Sequence, residues 1–253
     1  MLAELKFAIE SESGMRFVPS KGSLFQGVIM QLIDPDYAEL LHNQGIRPYS
    51  QYVKTIEDKS YWCIRTLNKE AYEKIILPMC EKEIDSVTIE HNDEKILLKD
   101  KKLITVPFSN LIDEFYESDA GCIYDIEFLT PTSFKRDGRY SFYPEVYAIY
   151  NSLMKKMDSV TDQSMISHET LDQLSANSEI VGYNLKSVAF GVEGVKIPSF
   201  IGRITIRIRG PQTMNNFARM LFEFGDFSGV GIKNAMGMGA IKVQERKRGE
   251  RKA

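Results

Sequence analysis

Residues 50–68, SQYVKTIEDKSYWCIRTLN, contain two runs of alternating apolar and polar side chains, separated by the polar residues Glu57, Asp58 and Lys59. Alternation with a period of two is typical of half-buried strands, and a short polar stretch between two such runs is typical of a turn. The stretch therefore predicts a β-hairpin, and the elements that flank this hairpin decide the fold class.

The stretch before the hairpin predicts a strand and two helical segments. LAELKFAIE (residues 2–10) alternates like a strand, and LFQGVIMQLI (residues 24–33) has the periodicity of a helix, for which Ser23 is the predicted N-cap. A second helical segment begins with Asp34 as its N-cap and Pro35 in its first turn, and ends at Gly45.

The stretch after the hairpin completes a known order of elements. A helix is predicted from about residue 69 to residue 83, followed by the strand SVTIE (86–90) and by KILLK (95–99) and KLITVPF (102–108) as a further hairpin. The order β-α-β-β-α-β is that of the ferredoxin-like unit.

The second half of the chain loosely repeats this order. The predicted elements are a strand at 121–130, a hairpin from Phe134 to Tyr143, a helix at 145–157, strands at 179–192 and 200–210, a helix at 212–224 and a strand at 240–245. We therefore predict an α+β protein of two tandem ferredoxin-like (βαββαβ) domains, at residues 1–115 and 120–253, with the boundary near 108–122. We predict residues 158–179 to be polar and irregular with at most a short helix, and the RKRGERKA tail (246–253) to be frayed.

Composition is that of a packed protein with an uneven charge. Of the 253 residues, 43% are hydrophobic and 26% are charged. The net charge of −3 divides into −8 for residues 1–125 and +5 for residues 126–253. Since salt confines the field of a surface patch to about 10 Å, a basic second half can bind phosphates on an acidic molecule. The asymmetry favours an anionic partner for the second half.

The lack of a long apolar run points to the cytoplasm, and the cysteine spacing argues against a metal or disulfide framework. No apolar run reaches about 18 residues, and Glu4, Lys6 and Glu10 interrupt the start of the chain. We therefore expect a cytoplasmic protein that does not contact a membrane. The three cysteines, Cys63, Cys80 and Cys122, are too widely spaced for a zinc site or a disulfide framework, and we expect them to be small core residues.

The strongest chemical signal is GVGIKNAMGMG, residues 229–239, between a predicted helix and the last predicted strand. Glycines allow positive φ and close backbone approach, and consecutive free N–H groups with a lysine can hold an anion. The alternative is a turn whose glycines serve only chain reversal. The stretch is not a P-loop or a dinucleotide fingerprint, because no Gly-Lys-Ser/Thr opens a helix and the loop precedes a strand. The residues predicted to bind are Gly229, Gly231, Lys233, Asn234, Gly237 and Gly239.

The pattern G-x-G-x-K-x-x-x-G-x-G near the C-terminus resembles that of the CRISPR-associated repeat-RNA endoribonucleases, in the repeat-associated mysterious protein superfamily. LFQGVIMQLI, LLHNQGIRPYSQYV and FLTPTSFKRDGRYSFYP are also similar to that family and occur in the expected order. The resemblance implies tandem ferredoxin-like domains and metal-independent cleavage of CRISPR repeat RNA without a cofactor. In that reaction a 2′-hydroxyl attacks the adjacent phosphate and leaves a 2′,3′-cyclic phosphate. The implied partners are repeat RNA and possible further CRISPR effector subunits, with the protein a monomer or a homodimer.

Such a reaction needs a base, an acid and a cation beside the phosphate. Histidine, with an ordinary pKa of about 6.5, suits either proton role. His42 lies in the predicted last helical turn, where carbonyl groups favour the protonated imidazole, and its segment matches the family's catalytic histidine. The alternative is an ordinary exposed histidine at a helix end. His91 and His168 fall in polar segments and are predicted bystanders.

Three neighbours of His42 complete the predicted catalytic set. Arg47 aligns with a family lysine that stabilises charge, and arginine can grip a phosphate with two hydrogen bonds. Tyr49 and Tyr52 could supply the base, although strand tyrosines are more often core or base-stacking residues. Some relatives place a tyrosine on the first helix, where this chain has Met30, so the base stays unassigned.

Two further basic surfaces are predicted to contact RNA. Lys135, Arg136 and Arg139 surround a Gly-centred turn, where Phe134, Tyr140 and Phe142 offer surfaces for base stacking. Arg203 and Arg207 share a strand face with Arg209 by the two-residue period. The alternatives are a solvated hairpin tip and a paired, solvent-facing sheet. No carboxylate cluster has metal-ligand spacing, so we predict no metal site.

Three functions compete at this point. The first is an endoribonuclease acting on CRISPR repeat RNA, with His42 and Arg47 at its centre. The second is a non-catalytic RNA-binding subunit of a CRISPR effector complex, which would keep the Gly-rich loop. The third is a small nucleotide-binding enzyme, which would bind free mononucleotides through that loop.

Overall fold

The computed structural model describes residues 1–81, 84–161, 167–192 and 194–246. The predicted tail beyond Arg246 and the predicted helix end at Glu83 lie outside these residues. The strands are β1 (Leu2–Ser11), β2 (Tyr49–Ile56), β3 (Lys59–Thr66), β4 (Ser86–Ile89), β5 (Glu94–Val106), β6 (Ile123–Thr132), β7 (Phe134–Arg136), β8 (Arg139–Ser141), β9 (Ser178–Val192), β10 (Val195–Ile208) and β11 (Ile241–Glu245).

The helices lie between these strands along the chain. They are α1 (Gly22–Leu32), α2 (Pro35–Asn43), α3 (Lys69–Ala71), α4 (Leu77–Glu81), α5 (Phe108–Glu117), α6 (Val146–Asp158), α7 (His168–Ala176) and α8 (Gln212–Ser228). A π-helical turn at Tyr72–Ile76 joins α3 to α4, and 3₁₀ turns occur at Pro19–Lys21 and Asn234–Met236. Within the described ranges, no helix is both long and apolar enough to cross a bilayer.

The first half forms a five-stranded antiparallel sheet in the order β2-β3-β1-β5-β4. Helix α1 and the α3–α4 segment cover one face of it. Trp62 is fully buried at the centre of this core, with its ring 4.9 Å from that of Phe25 and 6.1 Å from that of Phe7. The strand β5 lies beside β1, in the place of the fourth ferredoxin-like strand.

The second half forms a four-stranded antiparallel sheet in the order β11-β6-β10-β9. Its core lies between this sheet and helices α6 and α8, where the Tyr150 and Phe222 rings stack with centroids 5.5 Å apart. This order is again that of the ferredoxin-like unit, and the predicted fold class of tandem ferredoxin-like units is confirmed.

Two predicted strands, KILLK and KLITVPF, are one strand in the structure, and the predicted hairpin between them is wrong. The polar residues 99–102 lie in β5, where its register against β1 shifts between Lys6 and Ala8 and Asp100 has a φ of 50°. This irregularity is a β-bulge on an exposed stretch, which explains why polar residues are tolerated within a strand. The hairpin partner of β5 is instead β4.

The predicted boundary region contains a helix, α5, that the sequence prediction missed. Leu111 is buried, and the Phe108 and Phe115 rings lie 6.4 Å and 6.2 Å from those of Phe224 and Phe217 on α8. The helix therefore packs into the core of the second half, although the predicted division at residue 115 assigns most of it to the first.

Helix starts show where local chemistry was predictable. Asp34 is the N-cap of α2, as predicted: its side chain accepts hydrogen bonds from the backbone N–H groups of Asp36 and Tyr37, at 3.1 and 3.2 Å. The prediction of Ser23 as the cap of α1 is wrong. A 3₁₀ turn leads directly into α1, and the Ser23 hydroxyl donates to the Ser20 carbonyl at 3.3 Å.

Candidate functional site

A cavity of about 450 Å³ lies between the two halves of the chain. Its walls come from residues 44–47 and Tyr49 of the first half, from helix α6 and from the loop at residues 231–236. Arg47, Lys155 and Lys233 are side-chain cations on these walls. The structure therefore brings the segment after His42 and the Gly-rich loop to one cationic cavity, which suits an anionic ligand.

The Gly-rich loop needs glycine for close packing against its surroundings. Gly231 has a φ of 74°, and a Cβ at this position would collide with the carbonyl oxygen of Ser133. Gly239 has a φ of 68°, and a Cβ there would collide with the carbonyl oxygen of Val230. Both conformations are left-handed and suit glycine. The positive φ angles and the close packing against backbone oxygens therefore explain why glycine occupies positions 231 and 239.

Only part of the loop backbone can bind a ligand. The N–H groups of Val230 and Gly239 donate to the Gly239 and Pro131 carbonyls at 2.8 and 3.0 Å. Within the described part of the chain, the N–H groups of residues 233–235 have no acceptor, and these three residues line the cavity. Of the free N–H groups predicted along the Gly-rich loop, these three can bind an anion, together with the side chain of Lys233.

Asn234, predicted to bind RNA, uses its side chain within the loop. Its amide nitrogen donates to the carbonyls of Val230 and Met238, both at 3.0 Å. Its amide oxygen accepts a hydrogen bond from Lys156 at 2.5 Å. The side chain therefore ties the two limbs of the loop together, and its amide atoms are paired within the protein, which leaves the backbone N–H of Asn234 for a ligand.

Gln51 fixes the loop to the first half. Its amide nitrogen donates to the carbonyls of Gly22 and Ala235, at 2.6 and 2.8 Å, and its amide oxygen accepts from the Trp62 indole at 3.1 Å. Gln51 is 1% exposed. Because all these partners are buried and paired, the loop has a defined position relative to the start of α1.

His42 lies in the last turn of α2, as predicted, and is exposed. It is two residues before the segment that lines the cavity. The Nε atom of Arg47 donates to the carbonyl of Leu41 at 3.0 Å, which ties the cavity wall to the helix end that carries His42. His91 lies in an exposed turn and His168 is the exposed first residue of α7.

The two predicted tyrosines lie on opposite faces of β2. Tyr49 lines the cavity and is 2% exposed, and burial raises its pKa to about 12. Tyr52 packs with Cys63 against Ala240 of the second half, and burial raises its pKa as well. Its hydroxyl accepts a hydrogen bond from Arg65 at 3.3 Å. The structure therefore brings Tyr49, and not Tyr52, to the cavity.

The predicted hairpin forms from β7 and β8, with Asp137 and Gly138 at φ 50° and 77°. Two positive φ values at the centre of a two-residue turn are typical of type I′. The cations Lys135, Arg136 and Arg139 are exposed. The aromatic residues Tyr140, Phe142 and Tyr143 are also exposed, and the hairpin borders a groove of about 440 Å³.

Phe134 does not offer the stacking surface that was predicted for it. It is 6% exposed, and its ring stacks at 6.3 Å on that of Phe200 in the second core. The adjoining Ser133 accepts a hydrogen bond from the Ile232 N–H at 3.0 Å. The base of the hairpin is therefore joined to the Gly-rich loop.

Arg203 and Arg207 do not line the cavity. They lie on the face of the second sheet that points away from the second core. Both are exposed, but acidic residues share this face. Arg207 forms an ion pair with Glu179 at 3.5 Å, and Arg203 lies opposite Glu127 in the register of β10 and β6. Acidic neighbours weaken attraction for phosphates, so the charge of this face supports RNA binding less than the cavity does.

Sequence reasoning missed the α6 residues of the site. Ser152, Lys155 and Lys156 line the cavity, and Lys156 is 8% exposed. A signal was present, because Lys156 follows the buried residues Ile149 and Leu153 at helical spacing. The spacing places Lys156 on the core stripe, a position that lysine rarely takes without partners.

Comparison with known proteins gives the family. The model of the family described as CRISPR-associated endoribonuclease Cas6 matches residues 126–241. A protein of that name from Streptococcus thermophilus is 33% identical over 225 residues, which cover 88% of this chain and 91% of the relative. One from Mycobacterium tuberculosis is 32% identical over 228 residues, which cover 90% of this chain and 73% of the relative.

Solved structures agree on the fold. A Cas6 product complex has a TM-score of 0.81 at 19% identity, covering 96% of this chain and 99% of that chain. Thermus thermophilus Cas6 has a TM-score of 0.71 at 18% identity, covering 96% and 98%. Sequence identity and coverage together confirm the resemblance predicted from the Gly-rich pattern, and the chain belongs to the CRISPR-associated endoribonuclease Cas6 family.

Proposed function

We propose that this protein is an endoribonuclease that cleaves CRISPR repeat RNA to give guide RNAs. One observation carries the proposal: a single cationic cavity joins the segment after His42 to the Gly-rich loop. The family membership supports the same reaction class, and structural neighbours are described as product and substrate-mimic complexes of Cas6.

The proposed chemistry is attack of a 2′-hydroxyl on the adjacent phosphate, leaving a 2′,3′-cyclic phosphate and a 5′-hydroxyl. The phosphate becomes more negative in the transition state, and cations that line the cavity stabilise this charge. Arg47 carries that role, because its Nε is held by Leu41 and its terminal N–H groups remain for phosphate oxygens.

In this proposal His42 is the general acid or base: it gives a proton to the leaving 5′-oxygen or takes the proton of the 2′-hydroxyl, and solvent water is the partner for the other proton. His42 stands in the last turn of α2, two residues before the segment that lines the cavity, and its exposure lets RNA approach it. We leave Tyr52 out, because it is buried between the two halves. Since burial raises its pKa to about 12, Tyr49 keeps its proton near neutral pH and does not act as the base, and its hydroxyl oxygen is buried.

The Gly-rich loop holds the RNA backbone in this proposal. Residues 233–235, whose N–H groups have no acceptor within the described part of the chain, line one cavity with Arg47 and Lys155. Backbone N–H groups in such a row bind phosphate oxygens without reading the base. The loop therefore positions the strand, and base recognition falls to other surfaces.

The β7–β8 hairpin is the proposed second contact with RNA. We expect the double substitution Arg136→Ala and Arg139→Ala to raise the Kd for repeat RNA and to lower the slope of log Kd against log salt. The slope should fall by about 0.7 for each phosphate of a single strand that the variant no longer neutralises. Fluorescence anisotropy titrations over a range of KCl concentrations measure both quantities.

The matched control for the hairpin is the double substitution Arg207→Ala and Arg209→Ala. It also removes two arginines, but from the end of β10 in the four-stranded sheet and not from the hairpin. These arginines pair with Glu179, at 3.5 and 2.6 Å. If both double variants shift the salt slope equally, the hairpin has no special contact with RNA.

Cleavage in excess EDTA tests the reaction itself. We expect the purified protein to cut repeat RNA at one site with the chelator present, since cavity cations supply the positive charge that the phosphate needs. The 5′ fragment should carry a cyclic phosphate, which acid converts to a 2′- or 3′-phosphate. Tight binding without product would instead favour the non-catalytic subunit, and affinity for mononucleotides alone would favour a nucleotide-binding enzyme.

A further inference from the structure

Lys156 is a buried cation directly beneath the Gly-rich loop. Its ammonium group donates to the carbonyl of Gly229 at 2.9 Å, to that of Ser228 at 3.4 Å and to the side-chain oxygen of Asn234 at 2.5 Å. All three acceptors are neutral oxygens. Lys156 thus uses its three donors to join the end of α8 to the loop.

Through Asn234, Lys156 is connected to both limbs of the loop. The Asn234 amide can donate to Val230 and Met238 only when its oxygen points the other way, toward Lys156. In its protonated form Lys156 can only donate, so it fixes which end of the Asn234 amide faces the loop. A second α6 side chain, Ser152, accepts the Gly231 N–H at 2.8 Å one turn earlier.

We propose that Lys156 is a positioning residue for RNA binding: through Asn234 it holds the Gly-rich loop in the shape that presents its free N–H groups to the cavity. The link to RNA rests on the proposed function, whereas the effect on loop shape does not. Burial lowers the pKa of Lys156 to about 7. That direction shows the cost of burying this charge, which its hydrogen bonds offset in part.

The decisive variant is Lys156→Met, which keeps the volume of the side chain and removes its donors. We expect hydrogen exchange of amides in residues 229–240 to accelerate about 10-fold in the RNA-free protein, while exchange in β6 stays unchanged. The Kd for repeat RNA should rise about 10-fold. The cleavage rate at saturating RNA should stay within about 3-fold, because all three donors of Lys156 bind oxygens of the protein and none is left for a phosphate.

The control variant is Lys69→Met, at an exposed lysine on the first turn of α3 that does not line the cavity. It should leave loop exchange and RNA affinity unchanged. A general structural role for Lys156 would accelerate exchange in the second core as well as in the loop, and that result would overturn the proposal.

Asn234 provides an independent check through a double-mutant cycle. Asn234→Ala alone should weaken RNA binding about as much as Lys156→Met, and the two together should weaken it little more than either one, since both act through the same amide. If the Kd increase of the double variant equals the product of the two single increases, the proposal is overturned. Unchanged hydrogen exchange of the loop in Lys156→Met would overturn it as well. Altered exchange in a protein whose wild type binds no repeat RNA would refute the proposed function and leave the positioning role standing.

Discussion

His42→Ala should lower the single-turnover rate of repeat-RNA cleavage by about 10²–10⁴-fold, the range that a positioned proton donor or acceptor supplies. RNA affinity should stay within several-fold, because the cations and free N–H groups of the cavity remain in place. Rates measured with excess enzyme under conditions of full binding separate the chemical step from affinity.

The chain provides its own controls for this experiment. His91→Ala and His168→Ala remove the other two histidines, both of which are exposed and away from the cavity. Both variants should cut at the wild-type rate. A fully active His42→Ala protein would remove His42 from the mechanism and direct attention to the remaining polar groups of the cavity.

Arg47→Ala should have the second-largest effect, a loss of about 10²-fold in the cleavage rate at saturating RNA. Two causes combine. The transition-state phosphate loses a cation, and the Leu41 carbonyl loses the donor that ties the cavity wall to the end of α2. RNA affinity should fall less than the rate, since the ground-state phosphate carries less charge than the transition state.

Arg47→Lys separates these two causes. Lysine keeps the positive charge but has no planar fork, so it cannot contact Leu41 and a phosphate at the same time as arginine does. We expect intermediate activity. Wild-type activity in both Arg47 variants would assign charge stabilisation to Lys155 or Lys233 instead.

Local sequence patterns predicted those features that depend on a single helix, strand or hairpin. Asp34 and Pro35 specify the start of α2, and the helical spacing after them places His42 in its last turn. The alternation in residues 50–68 specifies the β2–β3 pair, although it leaves open what covers each face. The two-residue period of a strand also distinguishes Tyr49 from Tyr52, because residues that are three positions apart lie on opposite faces.

Other features depend on tertiary contacts that no local pattern contains. The 99–102 stretch is as polar as a turn, and only pairing with β1 makes it a bulged strand. Helix α5 is an exception, because its apolar residues Phe108, Leu111, Ile112 and Phe115 stand at helical spacing and periodicity alone could have identified it. The contacts of Lys156 needed coordinates, because the three oxygens it binds lie 72, 73 and 78 positions after it in the sequence.

The two contacts of Gln51 have a consequence for how the protein matures. Gln51 holds the backbone of Gly22 and of Ala235, so one buried amide joins parts of the chain that a ribosome releases far apart in time. A nascent chain that has released only its first half therefore has the imidazole but no loop beside it. The proposed binding cleft therefore forms only after residues 231–236 have been synthesised, and a chain that stops before them lacks one wall of it.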